Sequence, residues 1–308
     1  MNNRRNKPEL RESFVVDRQD NLLNYLMANS VTLSKNKLKL CLQKKCILVD
    51  GQSVTQYDFP LKKGMHIDIL KQQRDPLAGS PYVKVVYEDQ WLVVIEKQSG
   101  IISMQNGFRG LCVKTLLDNY FLKMKRGCKA HVVHRLDRDT SGLMIFAKST
   151  EVQQIFDKHW QELIYDRRYI AVVSGNMEED KGIVDTWLKD NKAYHTYSSP
   201  TDNGGKRAIT HYWTLDRKNN HSLVELKLLT GRKNQIRVHM ETLGHPVIGD
   251  KKYGAIDDDP INRLGLHAFL LDFRHPITGQ AMHFETPFPH AFLKLFSENK
   301  NEMKKREQ

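Results

Sequence analysis

Five runs rich in β-branched and aromatic residues crowd the middle of the chain: WLVVIEK, GLMIFAK, YIAVVSG, AITHYWTL and SLVELKLL. Helical patterns are fewer. TEVQQIFDKHWQEL carries an apolar stripe at Val152, Ile155, Phe156 and Leu163, with Thr150 as its expected cap and Gln153 completing a capping box. KNQIRVHMETLG reads as a second helix, stopped by Gly244. Strands outnumber helices and do not alternate strictly with them. That pattern predicts an α+β fold and argues against a doubly wound parallel sheet.

The first 14–72 residues have a different character. Leu22, Leu23 and Leu26 mark a short helix, and Ser34 stands at the N-cap position of SKNKLKLCLQKKC, whose Leu38, Cys41 and Leu42 share one face. Asp50-Gly51 then separates two β-prone runs, a hairpin signal because both turn positions require positive φ. A strand at His66–Leu70 follows the LKKG turn. Lys35, Lys37, Lys39, Lys44 and Lys45 concentrate positive charge on the second helix. This α/β module resembles the small RNA-binding domain of the ribosomal-protein S-four type. That family usually has Ser-Arg at the second helix start and Asn-Gly in the hairpin, where this chain has Ser34-Lys35 and Asp50-Gly51. The resemblance implies RNA contacts from Lys35 and Lys39, made as point charges without the fork of arginine. Residues 73–81, with two prolines and a Gly-Ser, read as a linker, 82–298 as the larger domain, and 299–308 as a charged tail.

Charge narrows the class of partner. The chain of 308 residues has a formal net charge of +12, and residues 1–80 hold 14 Lys+Arg against 8 Asp+Glu. Such excess favours polyanions, because each neutralised phosphate releases a counterion. No apolar run approaches the roughly 20 residues of a membrane span, and MNNRRNKPEL has no secretory pattern, so a cytoplasmic location and no membrane partner are expected. Cys41, Cys46, Cys112 and Cys128 form no CxxC pair and are expected to be reduced, buried small hydrophobes. His131 and His134 lack a neighbouring acid, so no metal is expected.

Two segments are dense enough in polar groups to hold chemistry: HVVHRLDRDTSGLMIF and LLTGRKNQIRVHMETLGHPVIGDKKYG. Taken alone, the first permits either Asp137 or Asp139 to be reactive, or both simply to pair with Arg135 and Arg138. The second reads equally as a basic helix start or a set of surface ion pairs. Neither names a reaction by spacing.

Together, HRLDRDTSGL, TGR-xx-QIRVH, LGHP-xx-GD-xx-YG and RLGLHA followed by HP resemble the RluA family of pseudouridine synthases over residues 81–290. The resemblance implies a largely antiparallel mixed sheet in the catalytic domain, often preceded by a domain of the S-four type. It assigns the catalytic aspartate to Asp137, the active-site tyrosine of the basic-x-Tyr motif to Tyr169, and the arginine paired bidentately with the aspartate to Arg237. Ile236 becomes the apolar neighbour, and Arg135, Arg232 and Gln235 become substrate contacts. Departures are Lys97-Gln98-Ser99-Gly100, which lacks the family's proline and its rigidity, and Asn234 in place of a histidine.

The implied reaction converts uridine to its C-glycoside isomer in RNA. It needs no cofactor, because the product is an isomer. Large-subunit rRNA is the expected partner, by analogy with relatives that have the N-terminal module, with tRNA as the alternative substrate. A noncatalytic RNA-binding or ribosome-assembly factor is the alternative function. A monomer is the default.

Overall fold

The computed structural model describes residues 10–70, 77, 79–105, 110–124, 126–254 and 259–297. Most of the expected linker and all of the charged tail lie outside these residues. The chain divides into two units, Met1–Pro76 and Leu77–Gln308.

The first unit comprises β1 (Leu10–Val15), β2 (Asp20–Asn21), α1 (Leu22–Asn29), α2 (Lys35–Gln43), β3 (Ile47–Val49), β4 (Gln52–Ser53), β5 (Pro60–Leu61) and β6 (His66–Leu70). The sheet runs β1-β6-β3-β4, and Asp50 and Gly51 turn the β3–β4 hairpin with φ of 48° and 79°. The fully buried Leu22, Leu26, Leu38, Ile47, Ile67 and Ile69 form its core. The opposite face of α2 exposes Lys35, Lys37 and Lys39, followed by exposed Lys44 and Lys45.

The second unit begins its core at Leu77, inside the stretch read as linker. Its elements are β7 (Val83–Glu88), β8 (Leu92–Lys97), α3 (Val113–Lys123), β9 (His131–Val132), β10 (Ser141–Ala147), α4 (Thr150–Leu163), β11 (Ile164–Ser174) and β12 (Lys181–Asp190). There follow β13 (Thr196–Ser199), β14 (Lys206–Lys218), β15 (His221–Leu228), α5 (Gln235–Thr242), β16 (Leu266–Arg274), β17 (Ala281–Glu285) and α6 (His290–Phe296). The sheet order is β13-β12-β14-β15-β11-β16-β10-β8-β7, with β17 on β16 and β9 on β10. Among the described strands every pairing is antiparallel except β10 with β16, so the expected mixed, largely antiparallel α+β architecture is present.

That parallel seam depends on Gly142. Its φ is +122°, and a Cβ there would lie 2.1 Å from the carbonyl oxygen of Ala268 on β16. Only glycine allows the two backbones to approach this closely. The seam sets the register of the next strand too, because Ala268 pairs with Tyr169 of β11. Alternation along the strands then builds two cores. Met144, Phe146, Tyr169, Ala171 and Val173 pack with Leu117 and Phe121 of α3 and with Ile236 and Met240 of α5. Leu143, Ile145, Leu271 and Phe273 pack with Val152 and Phe156 of α4, while Ile170 and Val172 pack with Phe292 of α6.

Three local expectations need correction. Ser149 caps α4, its side chain accepting from the Val152 amide; Thr150 is already helical. Gln153 donates to the Val132 carbonyl instead of closing a capping box, because β9 offers an acceptor within 2.9 Å. The four cysteines are free, but only Cys41 and Cys112 are buried; Cys46 and Cys128 are half-buried. Cys112 also does more than fill space, since its sulfur accepts from Thr115 at the start of α3.

Candidate active site

The loop of residues 133–140, between β9 and β10, is tied to its surroundings at His134, Leu136, Asp137, Arg138 and Asp139. Lys97, fully buried at the end of β8, donates from Nζ to the carbonyls of Arg138 and Ile101 at 2.8 Å and of Gln98 at 3.0 Å. Burial drives its pKa down from 10.5 to about 7, against the opposing pull of Asp139 and Asp137. Ser99 Oγ donates to the Asp139 carbonyl, and Ser103 Oγ both donates to and accepts from Leu136. The turn that lacks proline is therefore pinned by hydrogen bonds. His134 Nε2 accepts from the Ile145 amide at 2.9 Å, and burial holds this imidazole neutral, with a pKa of about 3. Among the described residues no group of three His, Cys, Asp or Glu side chains is placed to hold a metal.

This rigid loop presents Asp137 to α5, one hundred residues further along the chain. Arg237, in the first turn of α5, places Nη1 3.2 Å from Asp137 Oδ2. The contact is single. The bidentate partner is Asp250, whose carboxylate meets Nε at 2.6 Å and Nη2 at 2.8 Å. Asp250 is completely buried, and its Oδ1 also accepts from the Lys252 and Tyr253 amides, so it fixes the guanidinium fork and leaves only Nη1 for Asp137. Burial opposes the Arg237 charge, but Asp250 and, more weakly, Asp137 outweigh that and raise its pKa. Asn234, at the left-handed residue before α5, accepts from Nη1 at 3.1 Å and donates to the Tyr253 hydroxyl. It thus helps to orient Arg237. Tyr253 lies under the guanidinium, 4.9 Å from Cζ to the ring centre.

Asp137, Tyr169, Ile236 and Arg237 line one cleft of about 400 Å³, together with Leu228, Leu266 and Trp160. A second cleft of about 860 Å³ adjoins it and shares Arg135, Asp137, Asn234 and Arg237. Tyr169 is 7% exposed, and burial raises the pKa of its phenol, with a smaller push from Asp137 and an opposing one from Arg167. The phenol is consequently protonated at neutral pH. Arg135 and Arg232 are exposed at the cleft rim.

Gln235 departs from its expected role. Nε2 donates to the Ile209 carbonyl and Thr210 Oγ1, while Oε1 accepts from Thr230 Oγ1 and the Arg232 amide. With both ends of its buried amide saturated, it clamps the turn before α5 and has nothing left for a substrate. Lys35 and Lys39 belong to the first unit, whereas these side chains belong to the second.

The profile of the RNA pseudouridylate synthase family matches residues 91–242. Ribosomal large subunit pseudouridine synthase D of Nitrosomonas europaea is 32% identical over 282 residues, covering 87% of this chain and 81% of the relative. The chain belongs to the RNA pseudouridine synthases. Another relative, the uncharacterized RNA pseudouridine synthase YjbO of Bacillus subtilis, is 35% identical over 258 residues, covering 80% of this chain and 88% of that protein. Human RNA pseudouridylate synthase domain containing 1 shares the fold, with a TM-score of 0.57 at 23% identity over 73% of this chain and 94% of that one. As an RNA pseudouridine synthase, this protein is an isomerase that converts uridine in RNA to pseudouridine.

Sequence reasoning missed Asp250, Asn234 and Lys97 as parts of this synthase's site. Asp250 had a visible signal: a Gly-Asp turn thirteen residues beyond Arg237, inside the quoted motif. Lys97 was visible as the lysine of the family turn, but nothing in that turn shows that its Nζ folds back onto three carbonyls.

Proposed function

We propose that this synthase modifies uridines of large-subunit rRNA, with Asp137 as the nucleophile, Arg237 as the cation that orients it, and Tyr169 as the wall against which the uracil turns. The observation that carries this is the contact of 3.2 Å between Asp137 and a guanidinium already locked by Asp250, on the wall of a cleft lined by Tyr169 and Ile236. A target uridine leaves its stack at a cost of a few kcal/mol and enters the cleft. The Asp137 carboxylate engages the nucleotide, the N1–C1′ bond breaks, and the uracil rotates. C5 then bonds to C1′ and gives up its proton to solvent while N1 takes one up, so that the product is an isomer of the substrate. Arg237 sits beside the carboxylate throughout, so the nucleophile reaches its target without an ordering step. The protonated phenol of Tyr169 offers a flat face and an O–H donor to the turning base.

The rRNA assignment is supported by relatives from Nitrosomonas europaea and Pasteurella multocida that are named large-subunit synthases. The first unit acts in this reading as an RNA-binding domain of the S-four type. The exposed Lys35, Lys37 and Lys39 on α2 have no carboxylate within ion-pair distance among the described residues and remain available for phosphates. Mapping pseudouridines in rRNA and tRNA from cells with and without this gene tests the substrate. One or more large-subunit positions should lose pseudouridine. Loss confined to tRNA would overturn the rRNA assignment.

A further inference from the structure

Five arginine and lysine side chains line the cleft that holds Asp137, and their surroundings differ. Arg237 is neutralised by Asp250 and Asp137, and Lys233 pairs with Asp190 at 2.8 Å. Arg135 and Arg232 are exposed, and Arg232 Nε donates to the Arg207 carbonyl at 2.9 Å. Arg167 is the exception. It is half-buried, and among the described residues no carboxylate lies within ion-pair distance and no hydrogen-bond acceptor meets its guanidinium. The next residue, Arg168, is paired with both Asp166 of β11 and Glu225 of β15, whereas Arg167, which lines the cleft, pairs with neither.

The guanidinium is nevertheless held in place. Its Cζ lies 5.3 Å from the ring centre of Trp160, at the end of α4. Gly231 has no side chain to cover the fork; a Cβ there would stand only 3.5 Å from Nη1 and Nη2. A partly desolvated cation with five N–H donors and no protein acceptor is costly unless an anion arrives with the ligand. Of the parts of a uridine residue in RNA, uracil and ribose are neutral, and the phosphodiester alone is anionic. Its two free oxygens match the planar guanidinium fork.

We infer that Arg167, stacked on Trp160, is the phosphate clamp that seats the backbone of the target nucleotide in the active-site cleft. This rests on the target uridine entering that cleft, as proposed above. Trp160 pre-orients the fork, so less side-chain freedom is lost on binding. The clamp acts on binding and stays clear of the carboxylate chemistry.

The test is fluorescence anisotropy of the intact protein with a labelled oligouridylate of about 12 nucleotides, titrated between roughly 50 and 200 mM salt. Arg167→Gln should weaken binding by about tenfold or more. It should also reduce the slope of log Kd against log salt by about 0.7, the loss of one single-strand phosphate contact. Arg167→Lys, which keeps the charge without the fork, should keep the slope and lose only part of the affinity. Unchanged affinity and slope in Arg167→Gln, or an affinity loss with the wild-type slope, would overturn the clamp and leave Arg167 as a packing partner of Trp160. Asp137→Asn separates this from the catalytic reading. If that variant still forms pseudouridine in an rRNA transcript, the nucleophile assignment fails while the Arg167 result stands.

Discussion

Asp250→Asn is the substitution that most cleanly separates holding Arg237 from merely having it nearby. The side chain keeps its volume, and its oxygen still accepts from the Lys252 and Tyr253 amides. The new NH₂ group faces Arg237 Nε, where Oδ2 lay at 2.6 Å, so two donors oppose each other at a site with no exposure on the Asp250 side. One charge-assisted hydrogen bond, about 1.5–3 kcal/mol, is lost, and a buried cation loses its principal counter-charge, a loss that ranges up to about 5 kcal/mol when a pair is broken outright. We expect a net destabilisation of about 3 kcal/mol, or a fall in Tm of roughly 6–12 °C for a unit of this size. Arg237 then turns toward Asp137, its one remaining carboxylate. A nucleophile displaced by about 1 Å costs on the order of a hundredfold in kcat. KM should change little, because Asp250 is sealed beneath Arg237. Release of tritium from RNA labelled at uracil C5 reports the chemical step, and thermal melting reports stability. A variant with wild-type kcat and wild-type Tm would refute the positioning role.

Two further outcomes follow from the packing. Gly142→Ala should unfold the second unit or lower its Tm sharply, since a Cβ would lie 2.1 Å from the Ala268 carbonyl oxygen and the φ of +122° strains any side chain; melting at the wild-type temperature would contradict the account of the parallel seam. For Lys97, the folded pKa of about 7 lies below the 10.5 of the exposed group, so between these values the unfolded chain binds the extra proton. The burial cost is fully present below pH 7 and is relieved as pH rises toward 10.5. Wild-type stability measured against Lys97→Met should therefore rise from pH 7 to 9, by up to about 1.4 kcal/mol per pH unit; a pH-independent difference in denaturant melts would contradict it.

Much of this could be read from residue order, for physical reasons that also mark where such reading stops. The Asp50-Gly51 turn, the start of α2 at Ser34 and the end of α5 at Gly244 are set by local backbone preferences, and each appears where the sequence predicts it. β1 did not announce itself, because LRESFV carries charge on its exposed face and becomes a strand only by pairing with β6. β16 likewise reads as a motif, RLGLHA, although it is the strand that joins the two halves of the sheet. The contact between Asp137 and Arg237 is expected from the family resemblance alone. Its geometry depends on Asp250, and on Lys97 reaching three carbonyls across the turn, which are tertiary facts without periodicity. Gln235 shows the opposite error: a polar residue beside a catalytic arginine invites a substrate role, and only the four hydrogen bonds to its amide show that it is occupied.

Asp137→Asn tests the central claim most directly. Asparagine preserves the shape of the side chain and can still accept from Arg237 Nη1, while removing the anionic oxygen. Under single-turnover conditions with C5-tritiated rRNA transcript, the variant should bind RNA as the wild type does and release tritium only at background. Tritium release at a rate comparable with the wild type would contradict the account.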